Sequence, residues 1–237
     1  MKRALLVASV LGAAIAFPTA ASAGIFHGVV IAKEKSRHTL VVATRSGHVR
    51  TVRTHARAHV GARVSVHARK LSDGTFRAAG LARAGNARHA SFRATVVAKA
   101  RHRLVVSAGR SVFDIHMATQ HKGLRRGDDV ELKVSFSKNG ELDDDQVEQV
   151  GHSSTVELEG TITALTAPTA DQAGSLTLAS EEDDDNGATS FTVVIPAGFD
   201  VSGLQTGNEV ELTASVSGTT FTLVSIDDND QGDGGGD

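Results

Sequence analysis

Apolar and polar residues alternate in short runs along most of the chain, and one such run recurs three times after a glycine. The three glycines are Gly61, Gly127 and Gly207, which stand 66 and 80 residues apart. A glycine at such a place predicts a turn with an unusual backbone angle, and the alternation after it predicts a strand with one buried face. Its buried positions would be Val64 and Val66, Val130 with Leu132 and Val134, and Val210 with Leu212. The chain is therefore predicted to be a repeat protein.

Each repeat contains five short β-rich runs separated by turn residues, with a longer connection between the third and the fourth run. No run with a convincing helical period is longer than these connections. The pair Asn139-Gly140 is the strongest hairpin signal in the chain. Five strands with this spacing predict a small Greek-key barrel of the oligonucleotide/oligosaccharide-binding (OB) type. The fold class is thus all-β, with three tandem five-stranded OB-like barrels. Open meanders or a sandwich are the alternative.

The predicted domain boundaries follow the repeat. Residues 1–23 form a signal peptide, with Lys2 and Arg3, an apolar stretch and the cleavage motif Ala21-Ser22-Ala23. The apolar stretch of about 13 residues is shorter than the roughly 20 needed to span a bilayer, so the mature chain should lack a transmembrane segment. A basic barrel (24–88), a second barrel (89–152), an acidic barrel (153–228) and a disordered acidic tail (229–237) follow.

The absence of cysteine excludes disulfides, thiolate metal sites, a cysteine nucleophile and lipid attachment at cysteine. Together with the signal peptide, it predicts a secreted or extracytoplasmic protein of the bacterial envelope.

The segments Gly160-Thr161-Ile162-Thr163-Ala164, Leu176-Thr177-Leu178 and Leu204 to Leu212 resemble a family of exported bacterial domains of unknown function that form small OB-like barrels, often in tandem. The second repeat matches at Leu124, Gly127, Asp128, Val130 and Leu132. The first repeat departs from the pattern, with Ala58 and Ala62 where the family usually has Leu and Asp. Ala94 replaces the opening glycine in the second repeat. The resemblance implies a fold and no established activity.

The net charge of −2 conceals two oppositely charged halves. Residues 24–126 contain 21 Lys and Arg against 3 Asp and Glu, whereas residues 127–237 contain 2 against 24. Of the 21 basic residues, 16 are Arg, whose planar fork fits phosphate and carboxylate groups. The basic half is therefore predicted to bind anionic polymers by charge. The predicted anion-binding residues are Arg50, Arg53, Arg57, Arg63, Arg101, Arg103, Arg125 and Arg126.

The predicted partner is an anionic envelope polymer or a lipid headgroup, and not nucleic acid, because single-strand binding relies on aromatic stacking and the chain has no Trp or Tyr. Its Phe residues fall inside strands, where they should pack in the core. Attraction between the two halves also predicts salt-sensitive head-to-tail self-association. Alternatively, the charged residues serve only to keep the protein soluble.

Other chemistry finds little support in the sequence. His55 and His59 stand four apart but lack a third metal ligand, and the ten His from His27 to His121 should add positive charge to the basic surface as the pH falls. Acidic clusters at 143–145, 181–185 and 227–233 complete no calcium loop. We predict no metal, no cofactor, no catalytic residue and a non-enzymatic binding or scaffold protein. The alternatives are a surface-acting enzyme or inhibitor, or a weakly calcium-binding structural protein.

Overall fold

The computed structural model describes residues 24–34, 38–119, 121–180 and 190–227 of the chain. Every regular element in these residues is a β-strand, and the fifteen strands form three closed five-stranded barrels. The prediction of three tandem OB-like barrels is confirmed. The proposed signal peptide, the acidic cluster at 181–185 and the acidic tail lie outside the described residues.

The barrels follow one another along the chain without sharing a strand. Barrel 1 consists of β1 (Gly24–Glu34), β2 (Thr39–Thr44), β3 (Val49–Arg53), β4 (Ala62–Lys70) and β5 (Phe76–Asn86). Barrel 2 consists of β6 (His89–Lys99), β7 (Arg103–Ala108), β8 (Ser111–His116), β9 (Asp128–Phe136) and β10 (Leu142–His152). Barrel 3 consists of β11 (Thr155–Thr166), β12 (Gly174–Ala179), β13 (Ser190–Ile195), β14 (Glu209–Ser217) and β15 (Thr220–Asp227).

All three barrels close in the same strand order. The first strand pairs with the second and the fourth, the second with the third, and the fourth with the fifth, all antiparallel. A short parallel contact between the third and fifth strands completes the circle, for example Val52 opposite Phe76 in barrel 1. The same parallel contact closes barrels 2 and 3. This is the Greek-key arrangement of an OB barrel.

The recurring glycine holds a β-bulge in the first strand of each barrel. The register of the first strand shifts by one residue after Val30, Val96 and Ile162, which occupy equivalent positions. The N–H groups of Gly61, Gly127 and Gly207 donate to the carbonyls of these three residues, each at 2.8 Å. The three glycines have φ between +84° and +91°, which L side chains rarely adopt. The glycine is therefore required by the turn, as its recurrence predicts.

The residue after the glycine caps the same turn in two of the barrels. The Asp128 carboxylate accepts a hydrogen bond from the Arg125 N–H, and the Asn208 side chain accepts one from the Gln205 N–H, both at 2.7 Å. Barrel 1 has Ala62 at this position and lacks the acceptor. Barrel 1 thus lacks a local stabilising contact that its two neighbours share.

The barrels are stacked, and their apolar cores continue into one another. Ile31, Val41 and Ala43 of barrel 1 belong to the same buried cluster as the interior of barrel 2. Val97, Val105 and Val112 of barrel 2 likewise belong to the cluster inside barrel 3. In each case the outer face of the second and third strands of one barrel is covered by the end of the next. Stacking compensates for the small core that a barrel of this size can form.

Polar contacts fix both joints. The Thr51 hydroxyl of barrel 1 donates to the Gly109 carbonyl of barrel 2, and the Arg93 N–H donates to the Gly47 carbonyl at 2.9 Å. At the second joint the Ser107 hydroxyl donates to the Glu157 carbonyl at 2.6 Å.

Two arginines of barrel 2 make further contacts with barrel 3. Arg110 forms an ion pair with the buried carboxylate of Glu211. Arg126 donates to the Thr219 carbonyl and lies 4.5 Å above the centre of the Phe221 ring.

Candidate polyanion-binding surface

Positive charge on barrel 1 is almost unopposed. Residues 38–88 contain ten Lys and Arg, and Asp73 is their only acidic residue. Asp73 is itself neutralised, because the Arg53 guanidinium lies 2.6 Å from its carboxylate. Burial opposes ionisation of Asp73, but hydrogen bonds from Thr75 and the positive charges of Arg53 and Arg110 outweigh it and hold its pKa below the usual value. Several of the other cations of barrel 1, among them Arg63, Arg69 and Lys70, are exposed to solvent.

The clearest group of cations follows the fourth strand. The side chains of β4 alternate between the core, where Val64 and Val66 are buried, and solvent. One exposed imidazole of β1 lies beside the exposed cationic side chains of β4, because His27 is opposite Ser65. We call this group the basic strand surface. Its members are His27, Arg63, His67 and Arg69 on the outer face, together with Lys70, which is exposed at the end of the strand.

The basic strand surface forms a row along one side of the barrel. Alternate residues of a strand are about 6.8 Å apart, so His67 lies about that far from Arg69 and about twice as far from Arg63. His27 lies beside the gap between Arg63 and His67, because it is opposite Ser65. Within the described residues, none of the five side chains forms an ion pair with a carboxylate. Such a row can contact successive anionic groups of an extended polymer.

Four of the eight predicted anion-binding arginines hold the fold together. Arg50 lies 4.5 Å and 4.8 Å from the ring centres of Phe26 and Phe76 at one end of barrel 1. Arg53 pairs with Asp73, and Arg103 pairs with Asp114. Arg126 contacts barrel 3, and burial lowers the pKa of its guanidinium.

The other four predicted arginines are exposed but do not form one site. Arg63 belongs to the basic strand surface, and Arg57 lies in the connection between β3 and β4. Arg101 and Arg125 are on barrel 2, in the turn before β7 and the connection before β9.

The face that OB barrels commonly use for ligands is covered in barrels 1 and 2. That face lies on the second and third strands. All six residues of β2 are buried, and five of the six residues of β7 are buried. A ligand of the basic half must therefore bind elsewhere on the barrels, which favours the exposed outer side of β4.

None of the eight described Phe residues is exposed, so the described surface lacks a Phe ring for base stacking. Phe26, Phe92, Phe191 and Phe221 are buried, and Phe76 is half-buried beneath Arg50. The large apolar side chains that are exposed in the described residues are Ile25, Val150 and Val224. Contact with a polyanion would thus rely on charge rather than base stacking.

The acidic cluster of barrel 2 is engaged with histidines. Consecutive aspartates on β10 each contact a different imidazole, at distances of 2.6–3.2 Å. The pairs are Asp143 with His116, Asp144 with His121, and Asp145 with His89. These contacts join β10 to β6, β8 and the connection before β9.

No group of three potential metal ligands is found among the described residues. His55 packs against His38 with ring centres 4.7 Å apart, whereas His59 hydrogen-bonds Asn86 and Arg83.

A cleft of about 630 Å³ lies between barrels 2 and 3. Its polar lining includes Arg93, Asp129 and Glu157. The Asp129 carboxylate accepts hydrogen bonds from the Thr95 and Ser153 hydroxyls at 2.8–2.9 Å. These hydroxyls therefore hold the carboxylate of Asp129 in place at the lining of the cleft.

The chain resembles solved structures, all at low sequence identity. No protein-family model and no curated protein matches the chain. A single-stranded DNA binding protein from Thermus aquaticus matches with 11% identity over 86% of this chain and 90% of its own, at a TM-score of 0.29. Drosophila Unr CSD456 matches with 12% identity over 88% and 98%, at a TM-score of 0.22. A multidomain protein with nucleic acid binding domains from Streptococcus pneumoniae matches with 13% identity over 84% and 72%, at a TM-score of 0.22.

These matches correct the predicted partners. The predicted partner was an envelope polymer or a lipid headgroup and not nucleic acid, whereas two of these structures are named for nucleic acid binding. The prediction failed because the lack of Trp and Tyr weakens base stacking but leaves contacts with the phosphate backbone intact. The likeness is too low to identify a ligand of this chain.

The predicted head-to-tail self-association is withdrawn with the rest of that prediction. Arg110 and Arg126 already contact acidic barrel 3 within the same chain.

Among the described residues, no helix has the length and apolar character needed to cross a bilayer.

The predicted anion-binding residues include Arg103 and Arg126, which make structural contacts, and leave out Arg69, which is exposed. Strand alternation carries the better signal, because it places Arg63, His67 and Arg69 on one exposed face.

Proposed function

We propose that this chain is an exported, non-enzymatic binding protein whose first barrel binds anionic polymers through the basic strand surface. The observation that supports it most directly is the row of exposed cations on β4 within a stretch of ten basic residues and one neutralised acid. Export, a place in the bacterial envelope and membership of the exported OB-like family are parts of the same proposal. They follow from the sequence of residues 1–23 and from the repeat motif.

The mode of binding would be electrostatic and independent of sequence. Cations that contact phosphates release condensed counterions, so the affinity should fall steeply as salt is added. The surface has no Phe, Tyr or Trp side chain for stacking, so a single-stranded nucleic acid and inorganic polyphosphate are both suitable probes. A preference for the oligonucleotide would identify nucleic acid as the ligand class.

The test compares two triple variants of the full chain that lose the same charge. One carries Arg63→Gln, Arg69→Gln and Lys70→Gln on the basic strand surface. The control carries Arg45→Gln, Arg88→Gln and Lys138→Gln, which replace exposed cations elsewhere. Binding of oligothymidylate and of polyphosphate is measured by fluorescence anisotropy across a series of salt concentrations.

The surface variant should bind at least tenfold more weakly than the control at low salt. The slope of log affinity against log salt for oligothymidylate should fall by about 2, since each lost phosphate contact removes about 0.7. Equal weakening of the two variants would show that net charge alone attracts the polymer, and the proposed site would be wrong. An unchanged affinity in both variants would reject polyanion binding by barrel 1.

A further inference from the structure

The two joints between barrels use equivalent residues. The end of barrel 2 places Phe136 against Gly61 of barrel 1, where an added methyl group would lie 3.3 Å from the ring. The end of barrel 3 places Val216 against Gly127 of barrel 2, and an added methyl group would again lie 3.3 Å away. Phe136 and Val216 each stand nine residues after the recurring glycine of their own barrel. One apolar residue thus packs on the glycine turn of the preceding barrel at both joints.

The strand faces at the two joints are also equivalent. On the second strand, Val41 of barrel 1 occupies the position equivalent to Val105 of barrel 2. Ala43 of barrel 1 is likewise equivalent to Ser107 of barrel 2. These residues are buried by the following barrel, and three of them, Val41, Ala43 and Val105, belong to its apolar cluster. We call the outer face of the second and third strands, together with the glycine turn, the socket. The plug is the barrel end that carries the residue nine positions after the glycine.

The socket of barrel 3 has no plug among the described residues. No described atom lies within 4 Å of a methyl group added to Gly207. The outward residues of β12 and β13 alternate with buried ones and are uncharged, although barrel 3 is acidic. They are Ser175, Thr177, Ala179, Ser190, Thr192 and Val194.

Barrel 1 has no matching plug to offer this socket. The residue nine positions after Gly61 is Lys70, which is exposed at the end of β4. Placing its ammonium group against a glycine turn would remove water from a charge without a carboxylate set to receive it. A second copy of the chain is therefore a poor occupant, and the occupant should carry an apolar residue at this place.

We propose that the outer face of β12 and β13 with Gly207 is a docking socket for the end of a β-barrel domain of another protein. The partner would present a bulky apolar residue, such as Phe or Val, at the end of its fourth strand. Small uncharged Thr, Ser and Ala side chains allow the close approach that the two occupied sockets show. The outward side chains of the socket are uncharged, so the contact should persist when salt is added, unlike a contact between the charged halves.

The test uses the chain itself as the source of the plug. A Lys70→Phe, Thr177→Arg variant carries a plug on barrel 1 and a blocked socket on barrel 3, so it should remain a monomer alone. Mixed with the wild-type chain, it should form a complex of one molecule of each, which sedimentation velocity resolves. The complex should be unchanged in high salt.

Two controls make the result specific. A Lys122→Phe, Thr177→Arg variant adds the same side chain at an exposed site of barrel 2 and should not bind the wild-type chain. The Thr177→Arg chain, which has a blocked socket, should not bind the plug variant. Thr192→Arg on the neighbouring strand provides a second blocked socket if Thr177→Arg reduces the melting temperature.

Absence of a complex between folded plug variant and wild type would overturn the proposal. So would binding of the Lys122→Phe control to the same extent, because it would show general stickiness of an exposed Phe. Association of the wild-type chain with itself that either blocking substitution abolishes would identify a second copy as the occupant. That outcome would reject the assignment to another protein.

Discussion

Replacing Arg110 should weaken the joint between barrels 2 and 3 more than any exposed arginine would. The guanidinium forms an ion pair with Glu211, whose side chain is only 4% exposed. It also lies close to Gly74 of barrel 1, where an added methyl group would be 3.3 Å from it, and it lowers the pKa of Asp73. A single side chain thus contacts the other two barrels.

The expected magnitude follows from the burial of the pair. Removing one partner of a buried ion pair costs about 3–5 kcal/mol, because the other charge remains buried. Arg110 also has a φ of +73° in the turn between β7 and β8, a conformation that costs a non-glycine residue about 1–2 kcal/mol. We therefore expect Arg110→Ala to lose about 3 kcal/mol of unfolding free energy. Arg110→Gly should lose about 1 kcal/mol less, because glycine relieves the backbone strain.

The measurement is urea denaturation followed by far-ultraviolet circular dichroism, because the chain has no Trp or Tyr. Arg88→Ala, at an exposed position, is the control and should change stability by less than about 0.5 kcal/mol. Adding Glu211→Gln to Arg110→Ala should restore part of the loss, since the buried charge is then removed. If Arg110→Ala costs no more than Arg88→Ala, the ion pair does not stabilise the joint and the reasoning is wrong.

Two further predictions concern the turn glycine and the buried acid. Gly127→Ala should reduce the melting temperature more than Gly207→Ala. Both glycines have a positive φ, but a methyl group at 127 would also lie 3.0 Å from the Ser153 carbonyl. Equal losses of melting temperature in thermal denaturation would contradict this prediction. Asp73→Asn should flatten the loss of stability in acid. The pKa of Asp73 is lowered on folding, so its contribution is present above the usual pKa and disappears as the pH falls through the lowered value. Parallel curves of the variant and the wild type between pH 5 and pH 2 would refute that role.

The repeat could be predicted from the sequence because its signals are local. Each strand and turn is predicted by residues that lie close to it in the sequence. These residues are the recurring glycine, the alternating positions after it and the five β-rich runs of each unit. They correctly predict the three barrels. The stacking also has a local signal: β2 is an almost unbroken apolar run and β12 alternates. A strand that is apolar on both faces is covered on both faces, which anticipates the occupied and open sockets.

The roles of individual charged residues could not be predicted in this way. The partners of Arg110 and Arg126 stand about a hundred residues further along the chain, and the three histidines that contact Asp143, Asp144 and Asp145 come from separate elements. Contacts of that range depend on how barrels stack and strands close. A count of charges along the sequence therefore identifies the basic half but not which cations remain available to a ligand.

The plug and socket lie on the same repeated unit, and this has a consequence for how such a chain can change length. A duplicated middle unit brings both halves of the joint with it, so an added copy fits its neighbours without new complementary surfaces. Exposed positions outside the joints can diverge between copies by point substitution without disturbing the stacking. Arg63 of barrel 1 and Glu209 of barrel 3 occupy such equivalent positions, two residues after the recurring glycine, and they differ in sign of charge. Barrel 1 carries Lys70 in place of the apolar plug, so an extra copy of barrel 1 would not fit onto the socket of another unit.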